Sequence, residues 1–159
     1  MSEKLVVGIW ACDYFTRAFG YNDKLPWSGI KEDLEILDFY ISKSNNIVAS
    51  KSLYSTLPKS FKEKWPGMIL CDSKNPIEKL LNKLNGVTIV LGGRSVFNKC
   101  IDEALLDVII ENNLGFRDRR ILEFTHVAPI IKSSKYKLVG SSKIVGEQVL
   151  IKQNIWEKR

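Results

Sequence analysis

The chain is short of the residues that build metal centres and cross-links. Its 159 residues include one histidine, His126, and three cysteines, Cys12, Cys71 and Cys100. A single histidine and cysteines without metal-like spacing leave metal binding unsupported. An odd number of cysteines, far apart in the chain, fits buried reduced thiols better than a disulfide framework. No apolar run approaches the roughly 20 residues that span a bilayer. The early apolar stretch 5–12 follows Glu3 and Lys4 with no small-residue cleavage site, so it reads as a first strand, and the protein as cytoplasmic with no membrane partner. Internal repeats and low-complexity tracts are missing, which excludes solenoids and fibres. A GxGxxG fingerprint is missing too, so nothing singles out a Rossmann dinucleotide site.

What is present suits a globular chain. Hydrophobic residues make up 45% of it, enough for a sizeable core, and the length favours a single domain over residues 1–159. The formal net charge of +6 admits anionic ligands. The lysines and arginines are scattered, however, and the densest cluster, Arg117-Asp118-Arg119-Arg120, contains an acid and reads as a loop. Without a basic stripe interleaved with aromatics, nucleic acid is not the expected partner. Oligomeric state is not readable.

Strand-like runs at 5–12, 46–50, 67–71, 87–91, 107–114, 136–140 and 147–156 alternate with helical segments in the first half. Asn75-Pro76-Ile77-Glu78 predicts a helix start with Asn75 as cap, and that helix is expected to end at Gly86. Val87-Thr88-Ile89-Val90-Leu91 suits a central parallel strand buried on both faces. The last two strands, joined across residues 140–143 and Gly146, suit an antiparallel hairpin at one edge. The expected fold class is therefore α/β, a mixed and mostly parallel sheet with helices on both faces.

Three constellations carry chemistry. In the first, Ile30, Leu34, Leu37 and Ile41 form an apolar helical stripe, and Asp33 falls on it between Ile30 and Leu37. A carboxylate there is either a wet first-turn acid favoured by the helix dipole, or a buried group held for chemistry. In the second, Gly92-Gly93-Arg94-Ser95-Val96-Phe97 follows the buried strand and turns into a helix, an arrangement that is either a tight turn or a phosphate cradle. In the third, Ser50-Lys51-Ser52 sits at a strand-to-helix junction, where it is either an ordinary serine cap with a solvated lysine or a second phosphate contact.

The order of parts is more specific than any one of them. Ile9-Trp10-Ala11, then Phe19-Gly20 through Leu25-Pro26-Trp27, then Asp33 on its helix, then Ser50-Lys51-Ser52, then Gly92-Gly93-Arg94-Ser95-Val96-Phe97 resembles dihydrofolate reductase over nearly the whole chain. The resemblance implies reduction of 7,8-dihydrofolate to tetrahydrofolate by hydride from NADPH, with Asp33 binding the pterin edge and assisting protonation. Leu25 and Trp27 would complete the catalytic set as a mobile-loop residue and a water-anchoring aromatic. Ile9, Trp10, Ala11, Leu34, Leu37, Leu91 and Asn112 would line the substrate site. Ala11, Phe19, Gly20, Lys51, Ser52, Leu53, Gly92, Gly93, Arg94, Ser95, Val96 and Phe97 would hold the cofactor, with a cis peptide expected at Gly92-Gly93. Burial of Asp33 should raise its pKa.

This sequence departs from the family pattern in places. Asp72 stands near the position of a hydroxyl or base for the cofactor's 2′-phosphate, which leaves NADH open. The arginine that grips the folate glutamate has no counterpart in the loop 58–67, where Lys62 and Lys64 are the nearest cations. A pterin without the glutamate tail is therefore an alternative substrate, and a non-catalytic nucleotide-binding relative an alternative role. Leu37 replaces a stacking phenylalanine. The threonine that bonds the catalytic acid is replaced by Asn112 or Glu111; Asn112 is favoured because its amide can donate.

Overall fold

The computed structural model describes residues 3–20, 30–118 and 123–159. Leu25 and Trp27 of the expected catalytic set lie outside the described residues, as do Arg119 and Arg120 of the basic cluster. The chain runs β1 (Lys4–Asp13), β2 (Ala18–Gly20), α1 (Lys31–Ser42), β3 (Asn46–Ser50), α2 (Lys51–Thr56), α3 (Lys59–Lys64), β4 (Ile69–Cys71) and α4 (Ile77–Lys83). It continues through β5 (Gly86–Val90), α5 (Arg94–Asp102), β6 (Val108–Phe116), β7 (His126–Val127), β8 (Tyr136–Val145) and β9 (Val149–Lys158).

Seven strands form one sheet in the order β4-β3-β5-β1-β6-β9-β8. The five from β4 to β6 are parallel, and β9 and β8 close the far side antiparallel. β1 sits between β5 and β6 and is buried from Val6 to Asp13, as a central parallel strand covered on both faces should be. Its side chains alternate between two apolar layers. Val6, Trp10 and Cys12 pack with Leu81, Phe97 and Ile101 on the face covered by α4 and α5. Val7 and Ile9 pack with Ile41 and Ile110, and Ala11 packs with Ile30 and Leu114, on the face covered by α1. All three cysteines are buried and unpaired.

Four expectations about element boundaries are corrected. α4 begins at Ile77 with Pro76 as its cap, because the backbone of Asn75 is spent on Asp72: Asn75 N donates to Asp72 Oδ1, and Asp72 N donates back to Asn75 O. The helix stops at Lys83, and Gly86 instead opens β5 at φ +75 with the Asn45 side chain against it. The stretch 58–67, expected as a loop, contains α3; only Phe61 of that helix is buried, so it shows no apolar periodicity to read. β8 runs through residues 140–143 to Val145, and the hairpin turns at 146–148, closed by Gly146 N donating to Val149 O. A register shift between Leu138 and Gly140 absorbs the extra residue.

Candidate active-site cleft

Parallel strands deliver their C-terminal ends to one edge of the sheet, where open α/β proteins gather ligands. Here that edge carries Ala11–Asp13 of β1, Ser50 of β3, Cys71 of β4, the segment 91–93 after β5, and 112–114 of β6. α1 begins at the same edge. Its cap, Ile30, offers no side-chain acceptor, and its first turn carries Glu32 and Asp33. Glu32 reaches outward and accepts the Glu147 N–H at 3.0 Å, which ties the helix start to the β8–β9 turn. Asp33 turns inward and is only 7% exposed. Burial alone pushes its pKa up to about 6, because taking the carboxylate out of water penalises its charged form. The wet first-turn alternative is thereby excluded.

Around this carboxyl the helix is apolar but incompletely covered: Leu34, Ile36 and Leu37 are half-buried. Ile9, Ala11 and Leu91 form the floor on the same sheet face. The alternation of β6 puts the two candidate partners of Asp33 on opposite faces of the sheet. Asn112 lies between Ile110 and Leu114, both in the layer under α1, whereas Glu111 lies on the opposite face with Ile109. Gln153 Nε2 donates to Asn112 Oδ1 at 3.0 Å, fixing the amide with its donor free. That Nδ2 is buried without a partner among the described residues. Sequence reasoning missed Gln153, since only the β6–β9 register pairs it with Asn112.

Glu111 serves another purpose. It is 4% exposed and accepts from Trp10 Nε1 at 3.2 Å and from Arg17 Nη2 at 3.4 Å. Arg17 also donates to Pro129 O at 2.8 Å, so this cation fastens the turn after β1 to the core. Arg17→Met should cost about 1–2 kcal/mol in urea unfolding, since it strands a buried carboxylate, and adding Glu111→Gln should recover most of it. The same network corrects the placement of Trp10, whose side chain lies on the face away from Asp33, packed 4.9 Å from Phe97.

The expected cofactor residues do not all gather in one place. Gly92 and Gly93 are joined by a cis peptide and locked to the end of β3: Ser50 N donates to Gly92 O at 2.6 Å, and Gly93 N donates to Ser50 Oγ at 3.1 Å. Ser50 also caps α2 by accepting from Leu53 N. Ser95 and Val96, in the first turn of α5, line a cleft of about 380 Å³ with Ser50, Lys51, Ser52 and Asp72. No side chain caps α5, and a Cβ on Gly93 would meet only Ser50 Oγ at 3.7 Å, so backbone donors and open space adjoin that cleft. These residues fit the phosphates of a dinucleotide. Three others do different work. Phe97 is fully buried and its N–H is spent on Gly93 O; Arg94 Nε is drawn to Val127 O at 2.9 Å; Leu53 packs in the layer under α1. Phe19 packs edge-on to Phe97 at 6.4 Å, and Gly20 pairs with His126 in the β2–β7 ribbon.

Sheet order, cleft and buried acid together define an α/β protein whose candidate site lies along the C-terminal edge of its parallel strands, beside an acid-bearing helix. The fold is that of dihydrofolate reductase. Dihydrofolate reductase from Enterococcus faecalis, solved in complex with NADP(H) and RAB-propyl, superposes with a TM-score of 0.71 over 99% of each chain at 21% sequence identity. No protein-family model and no curated protein matches the sequence. Among the described residues, no helix is long and apolar enough to cross a membrane.

Proposed function

We propose that this protein reduces a dihydropterin of the 7,8-dihydrofolate type to its tetrahydro form, with Asp33 managing the proton. The observation that carries this reading is the buried carboxyl of Asp33, set in the apolar layer under α1 at the C-terminal edge of the sheet, with its pKa raised to about 6. A carboxyl so poised hydrogen-bonds a heterocycle's amidine edge when ionised and supplies a proton when neutral. A reduced nicotinamide, when bound, supplies the hydride to the carbon of the C=N bond. The chain's own part is to deliver the proton to the nitrogen of that bond, so that two electrons and two hydrogens are added in all. Ile9, Ala11, Leu34, Leu37 and Leu91 would exclude water from the reacting face, and Asn112 Nδ2 is a buried donor on the sheet face that α1 covers. Gly92, Gly93, Ser95, Val96, Lys51 and Ser52 would hold the nucleotide.

The test is loss of reduced-nicotinamide absorbance on adding dihydrofolate. Turnover is the expected result; nucleotide binding without turnover on any dihydropterin would replace the reading with a non-catalytic one. One observation favours a substrate without the glutamate tail. The cations of the 58–67 stretch are engaged: Lys64 Nζ and Trp65 Nε1 both donate to Asp38, at 3.0 and 3.1 Å, and Lys62 lies 4.6 Å over the Tyr54 ring. Comparable kcat/KM for dihydrofolate and a tailless dihydropterin is the expected result; a hundredfold preference for dihydrofolate would show that the tail is gripped.

A further inference from the structure

We propose that Asp72 and Lys51 select a dinucleotide with a free ribose 2′-hydroxyl, making NADH rather than NADPH the reductant; this rests on the reductase reading above. Among the described residues, the cleft beside the Gly92-Gly93 turn is lined by two cations, Lys51 and Lys99, and two carboxylates, Asp72 and Glu78. The formal charge of this lining is therefore zero. Neither ammonium is idle. Lys51 Nζ donates to Asp72 Oδ2 at 2.8 Å, and Lys99 Nζ lies 3.5 Å from Glu78 and 3.1 Å from Glu103. Among the described residues no arginine lines the cleft to offer a phosphate its planar fork, and Arg94, the nearest candidate in sequence, is bonded to Val127 O instead.

Asp72 is fixed rather than free to swing away. Its Oδ1 accepts from the backbone N–H groups of Lys74 at 2.9 Å and Asn75 at 2.7 Å, while Lys51 holds Oδ2. The same contacts keep its pKa below the ordinary carboxylate range, so it carries its charge at neutral pH. A fixed, ionised carboxylate accepts a hydrogen bond from a ribose hydroxyl, the device by which other dinucleotide folds choose NAD over NADP. Toward a 2′-phosphate the same group is a like charge. It also holds the lysine that the phosphate would need.

Titration of NADH and NADPH by quenching of tryptophan fluorescence, with wild type, Asp72→Ser and Lys51→Met, tests this without reliance on turnover. Wild type should bind NADH at least tenfold tighter than NADPH. Asp72→Ser should free Lys51, tighten NADPH about tenfold and weaken NADH a few-fold. Lys51→Met should weaken both nucleotides, NADPH by the larger factor. Equal or tighter binding of NADPH by wild type, or an NADH-to-NADPH ratio unmoved in Asp72→Ser, would overturn the proposal while leaving the reductase reading in place. Binding of neither nucleotide would overturn both.

Discussion

Asp33→Asn should lower turnover by about 10²–10⁴-fold, the range a positioned acid–base group contributes, while making the fold more stable above about pH 6. The two effects share one cause. In the unfolded chain an aspartate titrates near 3.9, whereas burial pushes Asp33 up to about 6 in the folded protein. Below about pH 4 the carboxyl is neutral in both states and burial carries no ionic penalty. Between the two pKa values the folded state holds a proton that the unfolded state has released, so stability falls as pH rises. Above about pH 6 the folded state buries a charge, at a cost of about 3 kcal/mol for a shift of about two units. Asparagine, close in shape and uncharged, escapes that cost. Urea unfolding should show the variant about 2–3 kcal/mol more stable at about pH 8 and nearly level with wild type at about pH 4. A gap independent of pH would contradict the buried placement.

Gly92→Ala should be the most damaging small substitution in the cleft, costing about 3–4 kcal/mol. Gly92 sits at φ +101, a region that L side chains rarely adopt. A Cβ there would also meet Phe97 at 2.4 Å from Cε2 and 2.9 Å from Cδ2. That ring cannot withdraw, since it is fully buried between Trp10 and Phe19. Trimming the ring should separate steric clash from backbone strain. Gly92→Ala with Phe97→Leu should be less destabilised than the sum of the two singles by about 1–2 kcal/mol. A single variant within about 1 kcal/mol of wild type in urea would refute the packing account.

The parts of the fold and site that were legible in the sequence are those written locally. A buried run such as Val87–Leu91, or the stripe Ile30, Leu34, Leu37, Ile41, announces its strand or helix because period and burial coincide. The Gly-Gly turn after a buried strand was readable for the same reason. The misplacements arose where a side chain answered to something distant. The backbone of Asn75 is spent on Asp72 and leaves the cap of α4 to Pro76, and α3 buries one residue and so leaves no pattern. Trp10 and Phe97 sit within motifs of the ligand edge, yet strand and helix geometry turns their side chains into the opposite core layer. Choosing Asn112 over Glu111 needed the alternation of β6, and finding Gln153 needed the pairing of β6 with β9, a contact of 41 residues' separation. The charge pairing within the cleft likewise joins β4's end to α2's start, which no short window of sequence reveals.

The most direct test of the central claim is the pH dependence of the hydride-transfer step, followed in a single turnover with dihydrofolate and whichever reduced nucleotide binds. With Asp33 as the proton source, the wild-type rate should be level below about pH 6 and fall about tenfold per pH unit above it, while Asp33→Asn should be slow and independent of pH over that range. A wild-type rate that does not change across the same range, or an asparagine variant as fast as wild type, would contradict the assignment of Asp33.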